Sequence, residues 1–140
     1  MTAKDIRRID VFFYGLFMDK ELLRAKGVKP VHPRLASVEN FCLLIGARAT
    51  MTPRQGEAVH GVVFSLAHEE VDALYSEESV SVYRPEAVIA HLTDGSSIPA
   101  LCFNLPSPPS PAERNPEYAL KLKELAVRIG LPPSYVNSIE

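Results

Sequence analysis

Four β-favouring residues, Val11-Phe12-Phe13-Tyr14, stop at Gly15 and pass through Leu16-Phe17-Met18 into a helix-forming segment that starts at Asp19. No polar side chain interrupts the four, which suits a strand buried on both faces better than one that shows a face to water. Gly15 lets the backbone turn without steric cost. Asp19 is placed to cap a helix, with Glu21 in its first turn, Leu22 and Leu23 on an apolar face, and Gly27 as a C-terminal stop. A strand that ends in a tight turn and a helix start leaves free N–H groups at one point, where a carboxylate or phosphate can bind. An ordinary strand–helix connection has the same residues, so the turn alone does not identify a site.

The rest of the chain limits what can be built around that turn. With 140 residues, 46% hydrophobic and 23% charged, it reads as one globular domain with a real core, spanning 1–140. A formal charge of −2 and a pI near 6.1 give no general attraction for nucleic acid or an anionic membrane. Lys4, Arg7 and Arg8 are too few for a basic arm. No apolar run approaches the roughly 18 residues of a membrane span, and none precedes Val11 as a signal peptide would, so a cytoplasmic location is expected. Cys42 and Cys102 lie in apolar, strand-like surroundings and read as buried, unreactive thiols.

Along the chain, Lys29–Arg34 with its two prolines reads as an exposed connection, Ala36–Gly46 as a strand, and Arg48–Gly56 as a loop. Ala58–Leu66 reads as a strand in which Gly61 marks a bulge or a close approach. Val71, Leu74 and Tyr75 share one face of a short helix whose acidic residues face water. Ser76–Val82 reads as a turn, and Tyr83–Leu92 and Ser97–Phe103 as a hairpin about Asp94-Gly95. Five prolines in the thirteen residues Asn104–Pro116 exclude regular structure there. Tyr118, Leu122, Leu125, Ala126 and Ile129 recur at helical spacing before Gly130, and a last helical turn follows. The pattern is α+β, with a mainly antiparallel or mixed sheet of five or six strands and few helices.

Nucleophile and metal constellations are absent from the sequence. His32, His60, His68 and His91 never fall at paired ligand spacing, and CxxC, HExxH, GxSxG and phosphate-loop motifs are missing. No metal or other cofactor is therefore expected. An acid/base group, if there is one, is a carboxylate: Glu77 and Glu78 sit among Leu74, Tyr75, Val80 and Val82, where partial burial would raise a carboxyl pKa. A solvated acidic turn fits the same residues.

The order of these segments resembles the gamma-glutamylcyclotransferase-like (AIG2-like) family over nearly the whole chain. Tyr14-Gly15-Leu16-Phe17-Met18 occupies the place of the family's YGSN-type loop, and Val59-His60-Gly61 that of its V-x-G strand. Leu74-Tyr75-Ser76-Glu77-Glu78-Ser79 and Tyr83-Arg84 stand where the family has LDxxEG and Y-x-R. Asn115-Pro116-Glu117-Tyr118 and Gly130-Leu131-Pro132-Pro133-Ser134-Tyr135 match its C-terminal pattern.

The resemblance implies a small barrel-like mixed sheet with peripheral helices. It also implies a reaction in which the α-amine of a γ-glutamyl group attacks its own side-chain amide, releasing 5-oxoproline and an amine or peptide. The substrate supplies the nucleophile, so the protein has only to fold it into the attacking geometry and move one proton. By motif position Glu78 would move that proton, with Glu77 as the neighbouring alternative. Tyr14, Gly15, Leu16, Phe17 and Met18, with Tyr83 and Tyr118, would bind the substrate, the loop amides taking its α-carboxylate or the developing oxyanion. The expected partner is a γ-glutamyl compound or another small acidic amide, and a homodimer is compatible with the family.

Leu16 and Phe17 replace the family's Ser and Asn, Ser79 its glycine, and Phe103 a frequent tyrosine, which implies a bulkier and more apolar pocket. Two other functions fit the same fold: a non-catalytic small-molecule binder, and a different small-amide acyl transfer. The direction of the Glu78 carboxylate separates them from the cyclotransferase. Pointing into a cavity shared with the Gly15–Met18 amides, it supports catalysis; pointing to solvent, it removes that support.

Overall fold

Val11, Phe12, Phe13 and Tyr14 are all buried, and successive residues belong to different hydrophobic clusters. That alternation follows from the two-residue period of a strand and explains why the segment has no polar face. In the computed structural model, which describes residues 7–140, the segment belongs to strand β1 (Arg8–Phe13) and its end. The N-terminal residues 1–6, including Lys4, lie outside the described residues.

Four further strands complete a closed barrel: β2 (Val31–Ile45), β3 (Ala49–Ala67), β4 (Arg84–Leu92) and β5 (Ser97–Asn104). Their order is β1-β3-β2-β4-β5, and a parallel contact of Val11 with Leu101 returns β5 to β1. The other pairings are antiparallel. One cluster draws on all five strands, with Phe12, Val38, Val59, Val88 and Cys102 among its members, and fills the barrel. Ala36, Ala90 and Ala100 belong to the same cluster, and Gly61 comes up against the Phe12 ring. The second cluster packs Val11, Phe13, Val62 and Phe64 from the outer face against helices.

Those helices are α1 (Lys20–Ala25), α2 (His68–Leu74), α3 (Pro116–Ile129) and α4 (Pro133–Ser138). Asp19 caps α1 by accepting the Glu21 amide at 3.0 Å. Asn115 caps α3 through the Tyr118 amide, and Gly130 ends α3 at φ 97°, a conformation that favours glycine. Leu23, Leu74, Leu122 and Leu125 turn inward from three of the helices. The Asp94-Gly95 turn joins β4 to β5, Gly95 taking φ 91°. Cys42 and Cys102 are free and buried, and burial pushes the Cys102 thiol up to about 12.

Two expected irregular segments are strands. Arg48–Gly56 belongs largely to β3, where Ala49–Pro53 pairs with Phe41–Ile45. Its polar residues fall where the ribbon is exposed, and the register slips between Glu39 and Phe41. Val31–Arg34, expected as a connection, begins β2 through a second irregularity that holds His32 at φ 54°. Glu70, expected to face water only, joins two segments: it accepts the Ala67 amide at 2.8 Å and the Lys29 amide at 2.6 Å.

Candidate functional site

The turn after β1 stands at one end of the barrel. Leu16–Met18 forms a single 3₁₀ turn before Asp19, so the chain folds back immediately after Gly15. A cavity of about 360 Å³ opens there. Its floor comes from Phe12, Phe13 and Tyr14, and one side from Gly15, Leu16 and Phe17. Tyr75 at the end of α2, Ser79, Val80 and Tyr83 from the following turn, Phe103 of β5 and Tyr118 of α3 enclose the rest. Lys26, just past α1, and Arg48, just before β3, bring positive charge to the lining.

Aromatic packing fixes the walls. Tyr75 stacks on Phe103 with ring centroids 3.8 Å apart and nearly parallel planes. Phe17 and Tyr83 meet the Tyr75 ring at steep angles, 6.0 and 6.3 Å away. Burial holds the Tyr14 and Tyr75 hydroxyls well above the usual phenol range, raises that of Tyr118, and pushes that of Tyr83 up to about 12. All four are protonated at neutral pH and do not act as bases.

Several of these hydroxyls are already engaged. Tyr14 donates to the Phe103 carbonyl at 2.7 Å and lies 2.9 Å from Oδ1 of Asn104. Asn104 is itself buried, accepting the Met51 amide and donating to Glu86, so it locates Tyr14 from behind. Tyr83 donates to the Ala49 carbonyl. The Tyr118 hydroxyl sits over Gly15, where an added Cβ would lie 2.6 Å from it, and accepts the Leu16 amide at 3.3 Å. The Met18 amide is bonded to the Gly15 carbonyl at 3.0 Å. These bonds occupy the Leu16 and Met18 amides, while those of Gly15 and Phe17 have no partner among the described residues.

Among the residues expected to bind substrate, Tyr14, Gly15, Leu16, Phe17, Tyr83 and Tyr118 therefore surround one cavity. Met18 does not: the 3₁₀ turn rotates it into the helix-covered core, where it is 3% exposed. Glu78 does not line the cavity either and is exposed on the Ser76–Val82 turn. Within that turn the Val80 amide bonds to the Glu77 carbonyl and the Tyr83 amide to the Val80 carbonyl. That coiling directs Ser79 and Val80 inward and leaves Glu78 outside. Glu77 reaches the rim indirectly, both of its oxygens lying 2.9 Å from Lys26 Nζ.

Other lining residues carry no expected binding role, Lys26, Arg48 and Tyr75 among them, while Phe103, expected to make the pocket more apolar, is one of its walls. Tyr75 has the spacing of a core position on a helix, and it is also a wall. Arg48 and Lys26 carry no motif, and only the fold brings them to the same cavity. Among the described residues no cluster of His, Cys, Asp or Glu could hold a metal ion, and no helix is long and apolar enough to cross a membrane.

Comparison with solved structures places the whole architecture. A protein described as gamma-glutamyl cyclotransferase superposes with a TM-score of 0.80 at 20% identity, covering 96% of this chain and 89% of that one. An uncharacterised protein from Homo sapiens gives 0.79 at 21% identity, covering 95% and 88%. YkqA from Bacillus subtilis gives 0.76 at 21% identity, covering 96% of this chain and 54% of its own length. Likeness at this level of identity shows a common fold. No curated protein matches the chain in sequence. The family model "Gamma-glutamyl cyclotransferase, AIG2-like" matches residues 11–121, from the buried start of the β1 motif to the first turns of α3, and the chain belongs to that family.

Proposed function

We propose that this protein binds a small γ-glutamyl-type amide in the barrel-end cavity and holds it without cyclising it. One observation carries the reading: among the described residues, the cavity is lined by aromatic rings, aliphatic groups, the hydroxyl-bearing Ser79 and tyrosines, and two cations, with no carboxylate or imidazole. Cyclisation needs an acceptor for the ammonium proton of the attacking amine, and protonated phenols cannot serve. A cavity of 360 Å³ with apolar walls and a few convergent polar groups suits a small organic ligand.

Turnover is the second reading, and the Glu77–Lys26 pair favours it. Lys26 lines the cavity, so a change in that pair would bring a carboxylate to the rim. Glu77 or Glu78 would then take the ammonium proton, the amine nitrogen would bond to the side-chain carbonyl carbon, and the amide bond would break. That proton would return to the leaving nitrogen, and the ring nitrogen would give up its second proton to water.

Incubation with γ-glutamyl amines and γ-glutamyl dipeptides, followed both by calorimetry and by assay for 5-oxoproline, separates the two. Saturable binding without product is expected. Release of 5-oxoproline that disappears in Glu77→Gln or Glu78→Gln overturns the binding reading in favour of the cyclotransferase. A different acyl transfer would show as loss of the amide without 5-oxoproline.

A further inference from the structure

The two cations of the cavity differ in one respect. Lys26 Nζ is already paired with both oxygens of Glu77, and the partner's charge offsets its own. Arg48 uses only Nε, which donates to the Ser79 carbonyl at 3.0 Å. Among the described residues, no carboxylate lies within ion-pair distance of its guanidinium. The bond through Nε fixes the plane of the group and leaves the two terminal nitrogens without a partner among those residues. Such a fork matches the two oxygens of a carboxylate, and a guanidinium is planar, always charged and weakly hydrated.

The loop after β1 is less well prepared for an anion. Two of its four amides are bonded within the protein, the Tyr118 hydroxyl covers Gly15, and Leu16 and Phe17 bring only apolar side chains. Opposite charge in this cavity thus comes from the β2–β3 connection and not from the turn after β1. The same cavity carries the aromatic wall of Phe17, Tyr75, Tyr83 and Phe103, to which an aryl or branched alkyl group would pack.

We propose that Arg48 is the specificity-determining residue of this cavity: it selects a carboxylate, attached to an aryl or branched apolar body that fills the aromatic wall. The inference rests on the binding reading above. It names the group that chooses the ligand and the class of ligand chosen.

The test compares γ-glutamyl-benzylamide with the analogue in which the α-carboxylate is a carboxamide, on the wild-type chain and on Arg48→Gln and Arg48→Lys. Arg48 is exposed, so its replacement leaves the core intact, and circular dichroism and the melting curve check each variant. A charge-assisted bidentate contact predicts that the wild type prefers the carboxylate by roughly 10–100-fold. Arg48→Gln should remove that preference while leaving the affinity for the carboxamide within about twofold, and Arg48→Lys should restore part of it. γ-Glutamyl-ethylamide, lacking the aryl group, should bind more weakly than the benzylamide to all three proteins.

If Arg48→Gln keeps the full preference for the carboxylate, the inference is overturned and the free amides of Gly15 and Phe17 take the anion, the binding reading still standing. Equal wild-type affinity for carboxylate and carboxamide overturns it in the same way. Failure of the wild type to bind either amide at millimolar concentration overturns the binding reading together with the inference.

Discussion

Glycine shows at the scale of single residues how the same sequence symbol carries two different constraints. A Cβ at Gly61 would lie 2.1 Å from the Phe13 carbonyl oxygen and 3.0 Å from the Phe12 ring. The obstacle is the backbone of a neighbouring strand, pinned by the ladder that pairs Phe13 with Val62, so it cannot move aside. Gly61→Ala should therefore lower the unfolding free energy by about 3 kcal/mol or more in urea titration, at the upper end of single-residue effects. At Gly15 the obstacle is the hydroxyl of Tyr118, the end of a side chain. Gly15→Ala should cost less than about 1.5 kcal/mol and act chiefly on ligand affinity, because the displaced hydroxyl is a wall of the cavity. Equal losses in the two variants would contradict this division. An isolated glycine in a strand asks for a bulge or a close approach, and at Gly61 it is the close approach of Phe13. Sequence reading could not orient Met18 or Glu78. Both sit in tight turns, where one residue of shift along the chain rotates a side chain from the cavity to the core or to solvent. Motif position records order and not direction.

Among the elements, those with a strong internal period were legible and those made by their neighbours were not. β1, α3 and the β4–β5 hairpin each announce themselves through alternation, helical spacing or a turn dipeptide, and all appear where expected. Ala49–Pro53 looks like a loop because it is polar and contains Pro53, yet it pairs with Phe41–Ile45, and Thr50 and Met51 are buried. A ribbon of this kind is stabilised by its partner and leaves little trace in local composition. The Ser76–Val82 turn is the opposite case: irregular as expected, but tethered at two points, by Lys26 to Glu77 and by Arg48 to the Ser79 carbonyl. Pairs this exposed contribute at most about 1 kcal/mol to global stability. Glu77→Gln should therefore leave the melting temperature within about 2 °C of wild type. The amides of Val80 and Tyr83, bonded inside the turn, should nevertheless exchange several-fold faster in hydrogen-exchange measurements. Unchanged exchange would mean that packing of Val80 and Tyr83 holds the turn without the ion pair.

For the whole molecule, closure of the barrel determines which charges can be tolerated, and so how the fold responds to acid. Burial lowers the pKa of His60, whose ring lies 4.8 Å from that of Tyr135 on α4. The neutral imidazole is thus favoured in the folded chain. Burial tends to raise the pKa of Asp10, but hydrogen bonds from Arg34 at 2.8 Å and Ser65 at 2.7 Å outweigh it, and the net shift is downward. Both shifts have the same sign for stability. A group whose folded pKa lies below its unfolded value makes its full contribution above the unfolded value, and loses it as the pH falls through the folded one. The His60 contribution is complete above about pH 6.5 and declines below it as the unfolded chain takes up a proton first. The Asp10 contribution persists until the pH falls below about 3.9, the ordinary aspartate value. Unfolding free energy measured in urea should therefore fall in two stages as the pH is lowered from 7.5. His60→Gln should flatten the first stage and leave the second, and Asp10→Asn should do the reverse, at a lower overall stability because Arg34 loses its charged partner. A first stage of undiminished slope in His60→Gln would place the titrating group elsewhere, and would remove the α4–barrel contact as the source of the acid response near neutrality.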